Sequence, residues 1–148
     1  MDNDQTLAVL LCRLQELRQR FHGVRQRSLQ LCEPLHLEDY GVQPMADASP
    51  PKWHLAHTSW FFDTFILSVW QKNYAAFHPA YAHLFNSYYN GVGDPFPRAR
   101  RGNLSRPTLD EVLAYRRFVD DAISELVDSY LSGAAVGQIE KIVEVFEL

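Results

Sequence analysis

Apolar residues at helical spacing run through the first 31 residues and limit the folds open to this chain. They recur every three or four positions, as on one face of an α-helix, at Leu7, Leu10, Leu11, Leu14, Leu17 and Phe21. Charged residues such as Arg13, Glu16 and Arg20 occupy the other face. The pattern predicts an amphipathic helix over residues 5–31, and the helix must bury its apolar stripe against other elements.

The same period returns in three later segments. It predicts a second long helix over residues 51–74, with Ser49 as the N-cap and two prolines at the start. A third helix follows Thr108, where "TLDE" has the form of a capping box closed by Glu111. The last segment, "QIEKIVEVFEL", begins a fourth helix. No stretch alternates like a strand, so we expect an all-α, up-and-down four-helix bundle whose fourth helix is incomplete.

The connection between the second and third long helices has a mixed character. "HPAYAHLFNSYYNGVG" predicts a short helix over residues 79–89. "GDPFPRARRGNLSRP" is rich in glycine, proline and arginine, which is typical of a loop.

Length and charge narrow the class of protein. The chain has 148 residues, which fits one domain over residues 1–148, and its net charge of −4 argues against nucleic-acid binding. No apolar run of about 18 residues is present, and the N-terminus lacks the basic region of a secretory signal. Cys12 and Cys32 are too far apart on one helix to form a disulfide, so we interpret them as reduced thiols in a cytoplasmic protein.

The incomplete fourth helix has a consequence for partners. It is too short to cover three helices of more than 20 residues, and a large exposed apolar patch needs a partner. We therefore expect a homo-oligomer, or a missing C-terminal half that covers the open end of the core.

"PPKWHLAHTSWFFDTFIL" places His54 and His57 three positions apart on the second helix. This spacing fits a structural pair among aromatic residues, and it also fits a shared metal ion. A catalytic metal generally needs three protein ligands, so other helices would have to contribute. Four more histidines are available, but none falls in a pattern that places it opposite His57: His22, His36, His78 and His83.

The exact amino-acid sequence of several segments indicates more about the family than the spacing of their residues does. "WHLAHT", "FNSYYN" and "RGNLSRPTLDEV" resemble, in the same order, the N-terminal DinB-like domain of ergothioneine-biosynthesis sulfoxide synthases, the EgtB family. The resemblance covers residues 29–128. It implies a DinB-like four-helix bundle that, in this family, is followed by a formylglycine-generating-enzyme-like domain.

The resemblance also implies a chemistry. Members of the family are hercynine oxygenases that bind non-haem Fe(II) through three histidines. They use O2 to join cysteine or γ-glutamylcysteine to hercynine. The first ligand corresponds to His57, and His54 is expected to support it or, as an open alternative, to ligate as well. The other two ligands come from a His-x-x-x-His motif that this sequence does not contain. We therefore expect the chain alone to be inactive, and we expect it to bind iron only if other residues supply the missing ligands.

The loop arginines form the second candidate site. Arg98 and Arg101 match arginines that bind the carboxylates of the thiol substrate in the family, although Arg100 could replace Arg101 as the inward side chain. Guanidinium groups pair bidentately with carboxylates, but a solvated basic loop has the same composition. We interpret Asp63 and Asp94 as solvated or capping residues.

Two other functions stay open at this point. The chain could be a non-enzymatic binding or interaction module on a DinB-like scaffold. It could also be a different DinB-like thiol transferase that depends on a metal ion.

Overall fold

The computed structural model describes residues 3–133 and 136–148, and these residues form helices and loops without a strand. The α-helices are α1 (Asn3–Cys32), α2 (Pro51–Phe62), α3 (Ser68–Trp70), α4 (Tyr81–Leu84), α5 (Leu109–Leu131) and α6 (Val136–Phe146). The predicted all-helical bundle is therefore confirmed. None of the described helices combines the length and the apolar composition that crossing a bilayer requires.

α1 packs against α5 and α6 through the apolar stripe that its sequence predicts. Leu14, Leu17 and Phe21 are buried. Side chains that pair between α1 and α5 show that the two helices run antiparallel, because the residue number falls along α5 as it rises along α1. These pairs are Arg18 with Asp128, His22 with Ser124, and Arg25 with Asp120.

α2 packs against α5 and begins at the same end of the bundle. Near the start of both helices, Lys52 Nζ donates to the Leu104 carbonyl at 3.0 Å. Near their ends, Trp70 and Tyr130 line one cleft. The two helices therefore run in the same direction, whereas consecutive long helices of the expected up-and-down arrangement would alternate. The connection over residues 71–108 is long because it must return along the bundle, and this connection carries most of the candidate site.

α2 differs from its predicted form at both ends. Ser49 provides no side-chain cap, because Pro50 is the N-cap residue and the Ser49 hydroxyl accepts a hydrogen bond from Arg101 instead. After Phe62 the helix widens into a π-helical turn at Asp63–Leu67 and then continues as α3. The helix ends at Trp70 rather than at residue 74, since the backbone of Gln71 is already extended, with φ −77° and ψ 125°.

The third long helix begins as the sequence predicts. The Thr108 hydroxyl accepts from the Glu111 amide at 3.2 Å, and the Glu111 carboxylate accepts from the Thr108 amide at 2.6 Å. The short helix predicted over residues 79–89 shrinks to Tyr81–Leu84. The segment predicted as a loop contains a 3-10 helix, Arg98–Asn103.

α6 has 11 residues and buries Ile139, Ile142 and Val143 against the core. It packs on α1 and on the π-helical turn, and its aromatic residue Phe146 contacts Phe21 and Phe62. Since α1 has 30 residues, α6 covers only part of it.

Candidate functional site

Three ring N–H groups on one face of α2 hold the end of α4 in place. The rings lie at positions 53, 57 and 60, which is helical spacing. They donate to backbone carbonyls that have no partner inside the short helix, as the last carbonyls of any helix do. The bonds are Trp53 Nε1 to Leu84 O at 2.9 Å, His57 Nδ1 to Phe85 O at 2.7 Å, and Trp60 Nε1 to Ala82 O at 3.0 Å.

The bond to Phe85 selects the tautomer of His57. A carbonyl oxygen only accepts, so Nδ1 carries a proton, and in the neutral ring Nε2 then keeps its lone pair. Burial lowers the pKa of His57, which keeps the imidazole neutral near pH 7. A neutral imidazole whose Nδ1–H bonds a backbone carbonyl is the form in which histidine binds metal ions through Nε2.

Two indoles hold the plane of the His57 ring. The Trp53 ring stacks at 4.7 Å between centroids with an interplanar angle of 13°, and the Trp60 ring stacks at 5.5 Å with 18°. His54 lies outside this stack on the exposed side of α2, where its ring meets the edge of Trp53. Burial, Arg101 and Arg98 lower the pKa of His54. The structure thus separates the two histidines into a fixed ring and an exposed one.

Arg101 is the inward arginine of the loop, and it is only 3 % exposed. Its Cζ lies 3.5 Å from the centroid of a Trp53 ring. Its two Nη atoms donate to neutral oxygens, at 2.9 Å to the Ser49 hydroxyl and at 3.2 Å to the Phe96 carbonyl. Burial and the neighbouring Arg98 lower the pKa of Arg101 to about 10. No carboxylate bonds Arg101 among the described residues, so its charge is not neutralised locally.

Arg98 and Arg100 lie exposed on the same 3-10 helix as Arg101. The Arg98 backbone is tied down, since its carbonyl accepts from Gln43 at 2.8 Å. Arg101 lowers the pKa of both His54 and His57, and Arg98 lowers that of His54. The predicted site residues therefore share one electropositive neighbourhood, joined through Trp53.

The described residues do not complete a metal site around His57. No group of three or more histidine, cysteine or acidic side chains is placed to hold an ion within residues 3–133 and 136–148. An iron ion would therefore need further ligands beside His57, and the residues present do not supply them.

Asp63 is buried, so the interpretation of this residue as solvated or capping is wrong. Its carboxylate accepts from the hydroxyls of Tyr74 and Tyr115, both at 2.8 Å, and burial raises its pKa. Its spacing offers a signal, because Asp63 lies three positions from Trp60 and three from Ile66, on the apolar face. A polar residue there must find partners inside the core.

Comparison with known protein families finds a match to the DinB superfamily over residues 5–139. The match extends from α1 into α6 and includes His57 and the arginine loop. No curated protein matches the sequence.

Proposed function

Because the chain belongs to the DinB superfamily, we propose that it is the DinB-like domain of a hercynine oxygenase of the ergothioneine-biosynthesis type. One observation carries the proposal. His57 is neutral, is held between two indoles, and donates its Nδ1 proton to the Phe85 carbonyl, which leaves Nε2 free to bind a metal ion. The segments that resemble the sulfoxide synthases contain these same residues.

The domain would supply one ligand of an Fe(II) site whose other ligands come from outside the described residues. Bound iron would supply the O2 chemistry. The part played by this chain is to hold the His57 ring in one plane and one tautomer. A domain with a single ligand is inactive alone.

The arginine loop would bind the carboxylate of the thiol substrate, cysteine or γ-glutamylcysteine. Arg98 is exposed and free to pair with a carboxylate, whereas the hydrogen bonds of Arg101 go to Ser49 and to backbone carbonyls. We therefore assign direct contact to Arg98. Arg101 is buried beside this site and contributes the attraction of its uncompensated positive charge.

A non-enzymatic binding module is the second candidate function, and one observation favours it. The ring N–H groups of residues 53, 57 and 60 and the Arg101 guanidinium all bond structural acceptors, so each has a role in folding without any metal. A metal-dependent DinB-like thiol transferase would use His57 as the first candidate does, but with a different reaction.

Metal binding by an extended chain separates the two metal-binding candidates from the non-enzymatic module. A helix with a His-x-x-x-His motif is appended after Leu148, and anaerobic calorimetry measures Fe(II) binding. We expect one Fe(II) per extended chain and at least about 100-fold weaker binding by the chain alone, because ligands add their contributions. His57→Gln in the extended chain should abolish stoichiometric binding.

His54→Gln is the matched control, since it changes an imidazole one turn away that does not bond Phe85. It should leave the stoichiometry at one. An extended chain that stays metal-free, or one that binds Fe(II) equally well with His57→Gln, would contradict the proposal and favour the non-enzymatic module.

A further inference from the structure

A groove of about 380 Å³ lies between α1 and α2, beside the C-terminal end of α6. Leu17, Phe21, Val24 and Phe62 form apolar walls, and Arg25 belongs to the lining. Val24 is 58 % exposed although it faces this apolar surface. The groove is within the size range of small-molecule sites, which are mostly apolar with a few polar groups. It contains neither His57 nor the arginine loop.

Two buried guanidinium groups lie at this part of the bundle. Arg25 is 5 % exposed and Arg116 is 2 % exposed. Each donates an Nη2 proton to the backbone carbonyl of the other, at 3.3 Å and 3.2 Å. The pair joins α1 to α5. Arg116 also donates to the Leu55 carbonyl of α2 at 2.8 Å, so three helices meet at the two arginines.

The charges of this pair do not balance. Asp120 bonds Arg25 Nε, and it is the one carboxylate bonded to either arginine among the described residues. Arg116 bonds neutral oxygens only, from Leu55, Thr58 and Arg25. Two buried positive charges thus face one partly exposed carboxylate, and an unpaired buried charge is costly.

One polar atom of the lining residue Arg25 has no partner. Arg25 Nη1 is buried and makes no hydrogen bond, whereas Nε and Nη2 are fully engaged. Buried polar atoms in proteins are almost always bonded, so an unbonded guanidinium N–H in the lining of a groove indicates a missing acceptor. Burial, and after it the neighbouring charge of Arg25, lower the pKa of Arg116 to about 10.

We propose that the groove between α1 and α2 binds a small organic carboxylate with an apolar body. The apolar body would lie against Phe21, Val24 and Phe62. The carboxylate would pair with the guanidinium of Arg25, a residue that lines the groove, and would supply the negative charge that the arginine pair lacks. Arg20 and Arg13 also line the groove, and the lining carboxylate of Glu147 is paired with Arg13 at 2.8 Å, so Arg20 adds positive charge for an approaching anion. The proposal does not depend on the iron site.

A carboxylate and its neutral amide test the charge requirement. Phenylbutyrate and phenylbutyramide have nearly the same shape and apolar surface but differ in charge. Calorimetry on the full chain should show phenylbutyrate binding at least about tenfold more tightly than phenylbutyramide. Thermal unfolding should show a larger rise in Tm with the carboxylate. Equal binding of the two compounds, or binding of neither, would overturn the proposal.

Val24→Trp tests the place of binding without touching the arginine pair. The indole would fill the groove, and the exposed position should tolerate it. Val9→Trp is the matched control, because Val9 is 60 % exposed on the same helix and outside the groove. We expect Val24→Trp to remove phenylbutyrate binding and Val9→Trp to preserve it. Binding that survives Val24→Trp would overturn the proposal.

A second copy of the chain could occupy the groove instead of a carboxylate, and light scattering distinguishes the two occupants. We expect the same mass for wild type and Val24→Trp. A dimer that Val24→Trp dissociates, with no preference for the carboxylate, would assign the groove to self-association and would overturn the carboxylate proposal.

Discussion

The chain buries arginine in two regions, and the two regions differ in the groups that surround the buried positive charge. Arg101 lies over the Trp53 ring and donates to oxygens that a single loop and Ser49 present. Arg25 and Arg116 instead face each other across the bundle, beside an open groove, and of the two only Arg25 bonds a carboxylate among the described residues. The first arginine is held by local chain geometry and an aromatic face. The pair Arg25 and Arg116 is held by tertiary contacts, and its positive charge is not fully balanced by a carboxylate.

This difference indicates what each region contributes. Around Arg101, the aromatic stack also fixes His57, so the charge, the indole and the imidazole form one rigid unit suited to positioning a ligand atom. Around Arg25, the unbonded Nη1 and the groove leave room for a missing anion. Both regions hold surplus positive charge in a protein whose net charge is −4, which is consistent with anionic ligands at both.

The largest expected effect comes from breaking the aromatic unit. Trp53→Ala removes a side chain that is 3 % exposed, the stack with His57 and the platform of Arg101. We expect the free energy of unfolding to fall by about 3–5 kcal/mol. Trp53→Phe keeps an aromatic ring but leaves the Leu84 carbonyl unbonded, and it should cost about 1–3 kcal/mol. Urea unfolding measures both, and a Trp53→Phe variant as stable as wild type would show that the indole N–H contributes nothing separate.

The arginine pair should respond unequally to loss of its two members. Arg25→Met leaves the partly buried Asp120 carboxylate without its ion pair, and we expect a loss of about 3 kcal/mol. Arg116→Met removes a like charge as well as three hydrogen bonds to neutral oxygens, so the two contributions oppose each other and the loss should be about 1–2 kcal/mol. Denaturant unfolding of both variants provides the comparison. A larger loss for Arg116→Met would contradict the surplus of positive charge.

The smallest expected effect is the pH dependence that His57 adds. Burial lowers its pKa in the folded state, so the unfolded chain binds the proton first as the pH falls. Stability that is present above the ordinary pKa of about 6.5 is therefore lost progressively as the pH falls from there toward the folded pKa. His57→Gln should flatten this slope in unfolding titrations. His54→Gln should flatten it too, since the pKa of His54 is also lowered, and an unchanged slope in both would contradict the lowered pKa of the two rings.

Periodicity and capping chemistry were enough to predict the bundle, because an amphipathic helix must bury its stripe and the Thr108 box has one structural meaning. The same rules could not predict the π-helical turn that buries Asp63, because the widened turn depends on tertiary packing. They also could not tell Arg101 from Arg100, because the choice depends on which guanidinium meets the Trp53 face.

The arginine pair shows a second limit of prediction. Arg116 falls within the apolar repeat of α5, yet arginine is usually exposed, and nothing local reveals that Arg25 lies opposite. The pairing arises from the antiparallel packing of α1 on α5, which brings together residues 91 positions apart.

The protonation state of the His57 ring tests the central claim most directly, because the claim requires a bare Nε2. Long-range proton–nitrogen NMR spectra of the chain, with the His57 signals assigned by their absence in His57→Gln, report which ring nitrogen carries hydrogen. We predict a neutral ring at neutral pH with the proton on Nδ1 and an unprotonated Nε2. A ring protonated on Nε2, or on both nitrogens, at neutral pH would contradict the account.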